Sequence, residues 1–127
     1  IKTGSDLTII STGIMVHQVF KVADELAKHS IKAEIVDLYR IKPLNAELLL
    51  RLIEKSKRIV TVEENSITGG IGSVVSEVLA DSGRAVSLKR IAIRDEHCFD
   101  YGDREWMHSL YGLDADSITK AILEWLR

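Results

Sequence analysis

The feature that most constrains this chain is a regular alternation. Short apolar runs take turns with longer segments whose apolar residues recur every three or four positions. Leu7-Thr8-Ile9-Ile10-Ser11 is a short buried strand, broken by Thr12-Gly13. From Met15 to about His29, Val16, Val19, Phe20, Ala23 and Leu26 share one helical face. Ala33 to Leu38 is strand-like. Pro43, the only proline, stands just before a helix, where its missing N–H costs little. Asn45 is placed to cap that helix, with Leu48, Leu49, Leu52 and Ile53 as its apolar stripe. Arg58 to Glu63 is a third strand, and Glu64 to Gly70 a polar, glycine-rich loop. A helix from about Gly72 to Asp81 buries Val74, Val75, Val78 and Leu79, and Gly83 suits its C-terminal turn. Val86 to Ile93 is a fourth strand, and Arg94 to Asp103 is aperiodic. Arg104 to Leu110 is a short helix stopping at Gly112. Asp114 caps a last helix on which Ile118, Ala121, Ile122 and Trp125 share a face.

Strands that alternate with amphipathic helices pair in parallel, with right-handed crossovers that lay the helices over the sheet. The expected fold is α/β: a three-layer α/β/α domain over residues 1–127, with a mostly parallel sheet of four to five strands. With 127 residues, of which 46% are hydrophobic and 28% charged, the chain suits one packed core and excludes a disordered tail or a rod. Lys plus Arg is 17 against 19 for Asp plus Glu, and a net charge of −2 argues against a nucleic-acid binder. The longest run without a charged side chain, Leu7 to Phe20, carries Ser11, Thr12, Gly13, His17 and Gln18 and falls short of a membrane span. Cys98 is the one cysteine, so no disulfide forms within the chain and nothing points to an oxidising compartment.

Ligands of open parallel sheets gather beyond the carboxyl ends of the strands. Four segments qualify: Ser11-Thr12-Gly13, Tyr39 to Lys42, Glu63 to Gly70, and Arg94 to Asp103. The first has one glycine and meets neither the dinucleotide nor the P-loop pattern, so it reads as a tight turn. Glu63-Glu64-Asn65-Ser66-Ile67-Thr68-Gly69-Gly70-Ile71-Gly72 is the most unusual stretch. It permits an acid/base carboxylate in a cleft, or glycines that let the backbone approach a neighbouring chain or domain. Neighbours on a strand point to opposite faces, so at most one of the two carboxylates meets a given cleft, and a packing or interface role is favoured over catalysis. Asp95, Glu96, His97, Cys98, Asp100 and Asp103 include metal-ligand types, yet their spacing suits a surface acidic loop better than chelation. His17, His29 and His108 are expected to be partly exposed helix residues without a chemical role. Trp106 and Trp125 are expected to be core or interface anchors. No complete catalytic set assembles from these residues.

The segment Asp37-Leu38-Tyr39-Arg40-Ile41-Lys42-Pro43-Leu44-Asn45 resembles a stretch of the transketolase C-terminal domain. The likeness continues through Ile59-Val60-Thr61-Val62-Glu63-Glu64-Asn65 and Gly69-Gly70-Ile71-Gly72-Ser73 to Glu77-Val78-Leu79, and ends with Gly112-Leu113-Asp114-Ala115. It covers nearly the whole chain and is similar to both 1-deoxy-D-xylulose-5-phosphate synthases and split transketolases. The synthases usually have a proline matching Ala92 to Asp95, which is missing here, and Lys89-Arg90-Ile91 looks more like the split type. The resemblance implies a cytoplasmic, homodimeric enzyme that uses thiamine diphosphate and Mg²⁺, bound by other domains or a partner subunit and not by this domain alone. It transfers no catalytic residue to this chain. It implies only an interface or active-site-facing role for Glu63, Glu64, Gly69, Gly70 and Gly72, with Arg40 and Pro43 as further candidates. It also implies a domain excised from a longer chain, with Ile1 and Lys2 as the remnant of an antiparallel edge strand. The alternative reading is a stand-alone doubly wound binding or signalling module. Against it, Ser11-Thr12-Gly13 stands where a receiver-like module carries acidic residues.

Overall fold

In the computed structural model, which describes residues 2–127, the expected alternation is present. The elements are β1 (Leu7–Ser11), α1 (Met15–Lys28), β2 (Ala33–Asp37), α2 (Ala46–Leu52), β3 (Arg58–Ser66), α3 (Ile71–Ser82), β4 (Ser87–Ile93), α4 (Arg104–Leu110) and α5 (Ala115–Leu126). The four strands lie in the order β2-β1-β3-β4, and every neighbouring pair is parallel.

Register fixes the two faces. Ile9 sits opposite Ile35 on one side and Val60 on the other, and Val62 opposite Ile91. These residues and Leu7 point to one face, where Val19 and Leu26 of α1 and Ile118 and Ile122 of α5 complete a core. The alternate positions Ile10, Val36 and Ile59 point to the other face and pack with Leu49, Ile71, Val75 and Leu79 from α2 and α3, and with Ile53. Two apolar faces covered by two helix pairs make the three layers.

The structure moves several boundaries. β3 runs to Ser66, beyond the expected end at Glu63, because after a register shift Ser66 still pairs with Ile93 of β4. β2 stops at Asp37 and β4 begins at Ser87, although Leu38 and Val86 still pack in the second core. In α2 the expected apolar stripe divides: Leu49 and Ile53 are buried, while Leu48 is 47% and Leu52 44% exposed. On α3, Val75 and Leu79 are buried but Val74 and Val78 only partly. Asn45 Oδ1 accepts the Leu48 N–H at 2.9 Å, the cap the sequence suggests. Gly83 takes the left-handed conformation (φ +67°) that closes α3. Lys2 forms a single antiparallel bridge to Ile35, where the edge-strand remnant is expected. Ile1, the other half of that expectation, lies outside the described residues.

Candidate functional site

An all-parallel sheet brings every strand's carboxyl end to one edge. The two glutamates of β3 meet different partners there. Glu63 is 1% exposed. Its Oε2 accepts the Ile71 N–H at 2.8 Å and its Oε1 the Gly72 N–H at 2.9 Å. Gly70, at the N-cap of α3, has no side chain to offer, so Glu63 caps the helix from across the loop. The positive end of the helix dipole offsets the buried charge. With each oxygen accepting a backbone N–H, Glu63 holds the helix start.

The glycines make this possible. A Cβ on Gly70 would lie 1.9 Å from Glu63 Oε2, and one on Gly72 would lie 2.8 Å from Thr61 Oγ1 and 2.9 Å from Arg90 Cδ. The sequence suggests close approach to a neighbouring chain or domain; at Gly70 and Gly72 the space is taken by this chain's own side chains. Gly69 has φ +81°, and its N–H donates to Ser73 Oγ at 3.0 Å. Arg90 braces the same turn, donating to the Ile67 carbonyl at 3.2 Å.

Glu64 turns to the opposite face. Its Oε2 lies 3.0 Å from His108 Nε2 and 3.5 Å from Arg104 Nε. His108 is only 6% exposed, which corrects the expectation of a partly exposed helix residue. The cause is α4, which lays this side chain against the end of β3. Glu64 and His108 are 44 positions apart, so no local spacing could announce the pair. Together with Arg104, Gly102, Met107 and Tyr111 they line a cavity of about 290 Å³.

Arg40 and Pro43 lie on the exposed segment after β2, and the Lys42–Pro43 peptide is cis. Arg40 lines a groove of about 260 Å³ with Asp37, Tyr39, Leu44, Leu48 and Leu52. The Ser11 hydroxyl is buried and donates to the Val62 carbonyl at 2.9 Å, and Gly13 has φ +60°, so this segment is a tight turn as read. In the segment after β4, Cys98 Sγ donates to the Tyr111 oxygen at 2.7 Å, and the Tyr111 hydroxyl donates to Asp100 Oδ2 at 2.8 Å. The bonds to Cys98 and then Asp100 push the Tyr111 pKa well above its ordinary value. Trp125 packs against the first core, while Trp106 remains 47% exposed. Among the described residues, no three His, Cys, Asp or Glu side chains converge to hold a metal ion.

Three comparisons place this geometry among known proteins. Residues 1–118 match the family described as transketolase, C-terminal domain. The chain is 35% identical to a subunit of the apulose-4-phosphate transketolase of Actinobacillus succinogenes, over 97% of this chain and 40% of that protein. It is 42% identical to 1-deoxy-D-xylulose-5-phosphate synthase of Gloeobacter violaceus, over 99% of this chain and 20% of the synthase. Among solved structures it is similar to a split-gene transketolase described as an inactive β4 tetramer, with TM-score 0.87, 32% identity, and coverage of 97% of this chain and 40% of that one. None of these relatives supports a stand-alone binding or signalling module.

Proposed function

The chain belongs to the transketolase C-terminal domain family, and from that premise we propose that it is one domain of a larger transketolase-type transferase. The parent enzyme uses thiamine diphosphate and Mg²⁺ to transfer a ketol or acyl carbanion to an aldose phosphate. The observation that carries this reading is the family match over residues 1–118, on a fold similar to a split transketolase at TM-score 0.87. The chain spans only 40% and 20% of the two relatives described. That supports a division of labour in which the remaining polypeptide, in the same chain or in a partner subunit, carries the chemistry.

The residues of this chain do not fit the cofactor. No potential ligand cluster forms among the described residues, and the turn after β1 has one glycine where phosphate cradles need several. No chemical step is therefore assigned to thiamine diphosphate on these residues; in this reading the rest of the parent enzyme holds the cofactor. The cofactor supplies the carbanion chemistry when the rest of the enzyme holds it. Glu63, Gly70 and Gly72 fix the start of α3. Glu64, Gly69, Arg40 and Pro43 lie on the carboxyl edge and face the remaining domains. The parent is a cytoplasmic homodimer in this reading. The single free cysteine, Cys98, fits a reducing compartment. No helix among the described residues is long and apolar enough to cross a membrane.

The test is turnover by the complete enzyme, with its partner subunit if there is one. Ketose and aldose phosphates, and pyruvate with an aldose phosphate, are supplied with and without thiamine diphosphate. Turnover that depends on the cofactor is expected. No turnover with any donor–acceptor pair would overturn the reading.

A further inference from the structure

We propose that the cleft at the amino ends of the strands binds a small hydrophilic anion carrying at least two phosphoryl groups and no compensating cation. This site is separate from the transferase reading and does not depend on it. The cleft, about 730 Å³, lies at the edge of the sheet opposite Glu64 and Arg40, where β1, β3 and β4 begin. Lys55, Lys57 and Arg58 border it, and none of their side chains has an ion-pair or hydrogen-bond partner among the described residues. Three unpaired cations in one cleft stand out in a chain whose net charge is −2.

The fold puts them there. The Lys57 carbonyl accepts the Ser87 N–H at 3.1 Å, which ties this segment to the start of β4. Between the two lysines, Ser56 turns inward and shares a hydrogen bond with the buried Thr8 hydroxyl. Lys55 and Lys57, on either side of it, are left exposed. One carboxylate, Asp6, borders the same cleft, and it is already engaged. Its Oδ2 accepts the Lys32 N–H at 2.6 Å, and its Oδ1 accepts the Ser5 hydroxyl at 3.0 Å. These bonds, and then the nearby Lys32 charge, favour its ionised form. Asp6 thus anchors one wall and has Lys32 as its counter-charge, which leaves the other three cations uncompensated.

Hydroxyls add donors. Ser30 and Ser87 line the cleft, and their side chains make no hydrogen bond among the described residues. Ser30 follows α1 with φ +62°, a left-handed position where glycine is the easier residue. A serine there gives up conformational ease and brings a hydroxyl to the cleft. Ile31 is the one apolar member, and it is partly buried.

Cations and hydroxyl donors together suit phosphoryl oxygens. With no aromatic side chain in the lining, the cleft gives a nucleobase nothing to stack on. Its volume lies in the small-molecule range of about 300–1,000 Å³. Cations gathered in one cleft do not make the stripe that a nucleic-acid backbone needs. Thiamine diphosphate with Mg²⁺ is not such an anion, because its thiazolium ring and the metal offset the diphosphate charge.

Calorimetric titration of the complete enzyme, loaded with its cofactor and freed of excess metal, tests the proposal. The probes are tripolyphosphate, fructose bisphosphate and inorganic phosphate. At least one of the first two is expected to bind about tenfold more tightly than inorganic phosphate, since more charges meet the same cations. Which of them binds more tightly separates a phosphoanhydride chain from a sugar bisphosphate as the source of the phosphoryl groups. Lys55→Ala/Lys57→Ala should weaken that binding about tenfold, through the loss of charged hydrogen bonds. Lys55→Arg/Lys57→Arg, which keeps both charges, should retain it, and so should Lys21→Ala on the exposed side of α1. Phosphate sites elsewhere in the enzyme are common to all these variants, so the difference between them reads this cleft. Equal binding by the double alanine variant and the wild type would overturn the proposal. So would inorganic phosphate or a hexaglutamate peptide binding as tightly as the better probe.

Discussion

At the scale of single residues, the start of α3 rests on one buried carboxylate. Glu63 accepts two backbone N–H bonds in a space that only a glycine at position 70 leaves open. Glu63→Gln keeps the shape but offers one acceptor oxygen for two donors and removes the charge facing the helix dipole. Unfolding in urea should show a loss of about 1–3 kcal/mol. Gly70→Ala should cost a similar amount, about 1–3 kcal/mol, because the new methyl must displace a carboxylate that has nowhere else to pair. If both variants keep the wild-type midpoint, the capping account is wrong. The sequence made this stretch conspicuous and the alternation rule separated the two glutamates. It could not show what Glu63 met, because that depends on the fold bringing α3 back over β3.

At the scale of elements, α4 and α5 are held by contacts of different reach. Asp114 caps α5 locally, its Oδ1 accepting the Ser117 N–H at 3.0 Å. Burial alone would raise the Asp114 pKa, but hydrogen bonds from Ser117 and neighbouring backbone outweigh it, so the net value is lowered from 3.8. Asp6 is lowered too, first by the Lys32 N–H and then by Ser5. A folded-state pKa below the unfolded one gives stability that is complete above the unfolded value and fades as pH falls through the folded one. Asp114→Ala should therefore cost about 1 kcal/mol near neutral pH, and the gap to wild type should close below about pH 4. A gap that widens in acid would contradict the assignment. α4 has a local cap too, Asp103 Oδ1 accepting the Trp106 N–H at 2.9 Å, and adds the distant pair Glu64–His108. His108→Ala should lower stability by about 1–3 kcal/mol and speed amide exchange selectively in residues 104–113. Unchanged exchange there would show that the pair does not hold the helix. These two helices mark what was legible. Periodicity and local caps revealed α5 and its Asp114. The burial of His108 was not legible, since a helix this short carries no clear apolar face. The extension of β3 to Ser66 was missed for a related reason: its last pairing is with Ile93, far along the chain.

At the scale of the molecule, alternating periodicity was enough to predict the layers, because an amphipathic helix after each short strand leaves few other ways to bury both faces of a sheet. Strand order and the polarity of the two edges came only with the structure. The central claim is that this chain supplies architecture to a reaction centre formed by other polypeptide. The most direct test is a calorimetric titration of thiamine diphosphate with Mg²⁺ into the 127-residue chain. The account predicts no saturable heat and no rise in unfolding temperature. Stoichiometric, tight binding to this chain alone would contradict it.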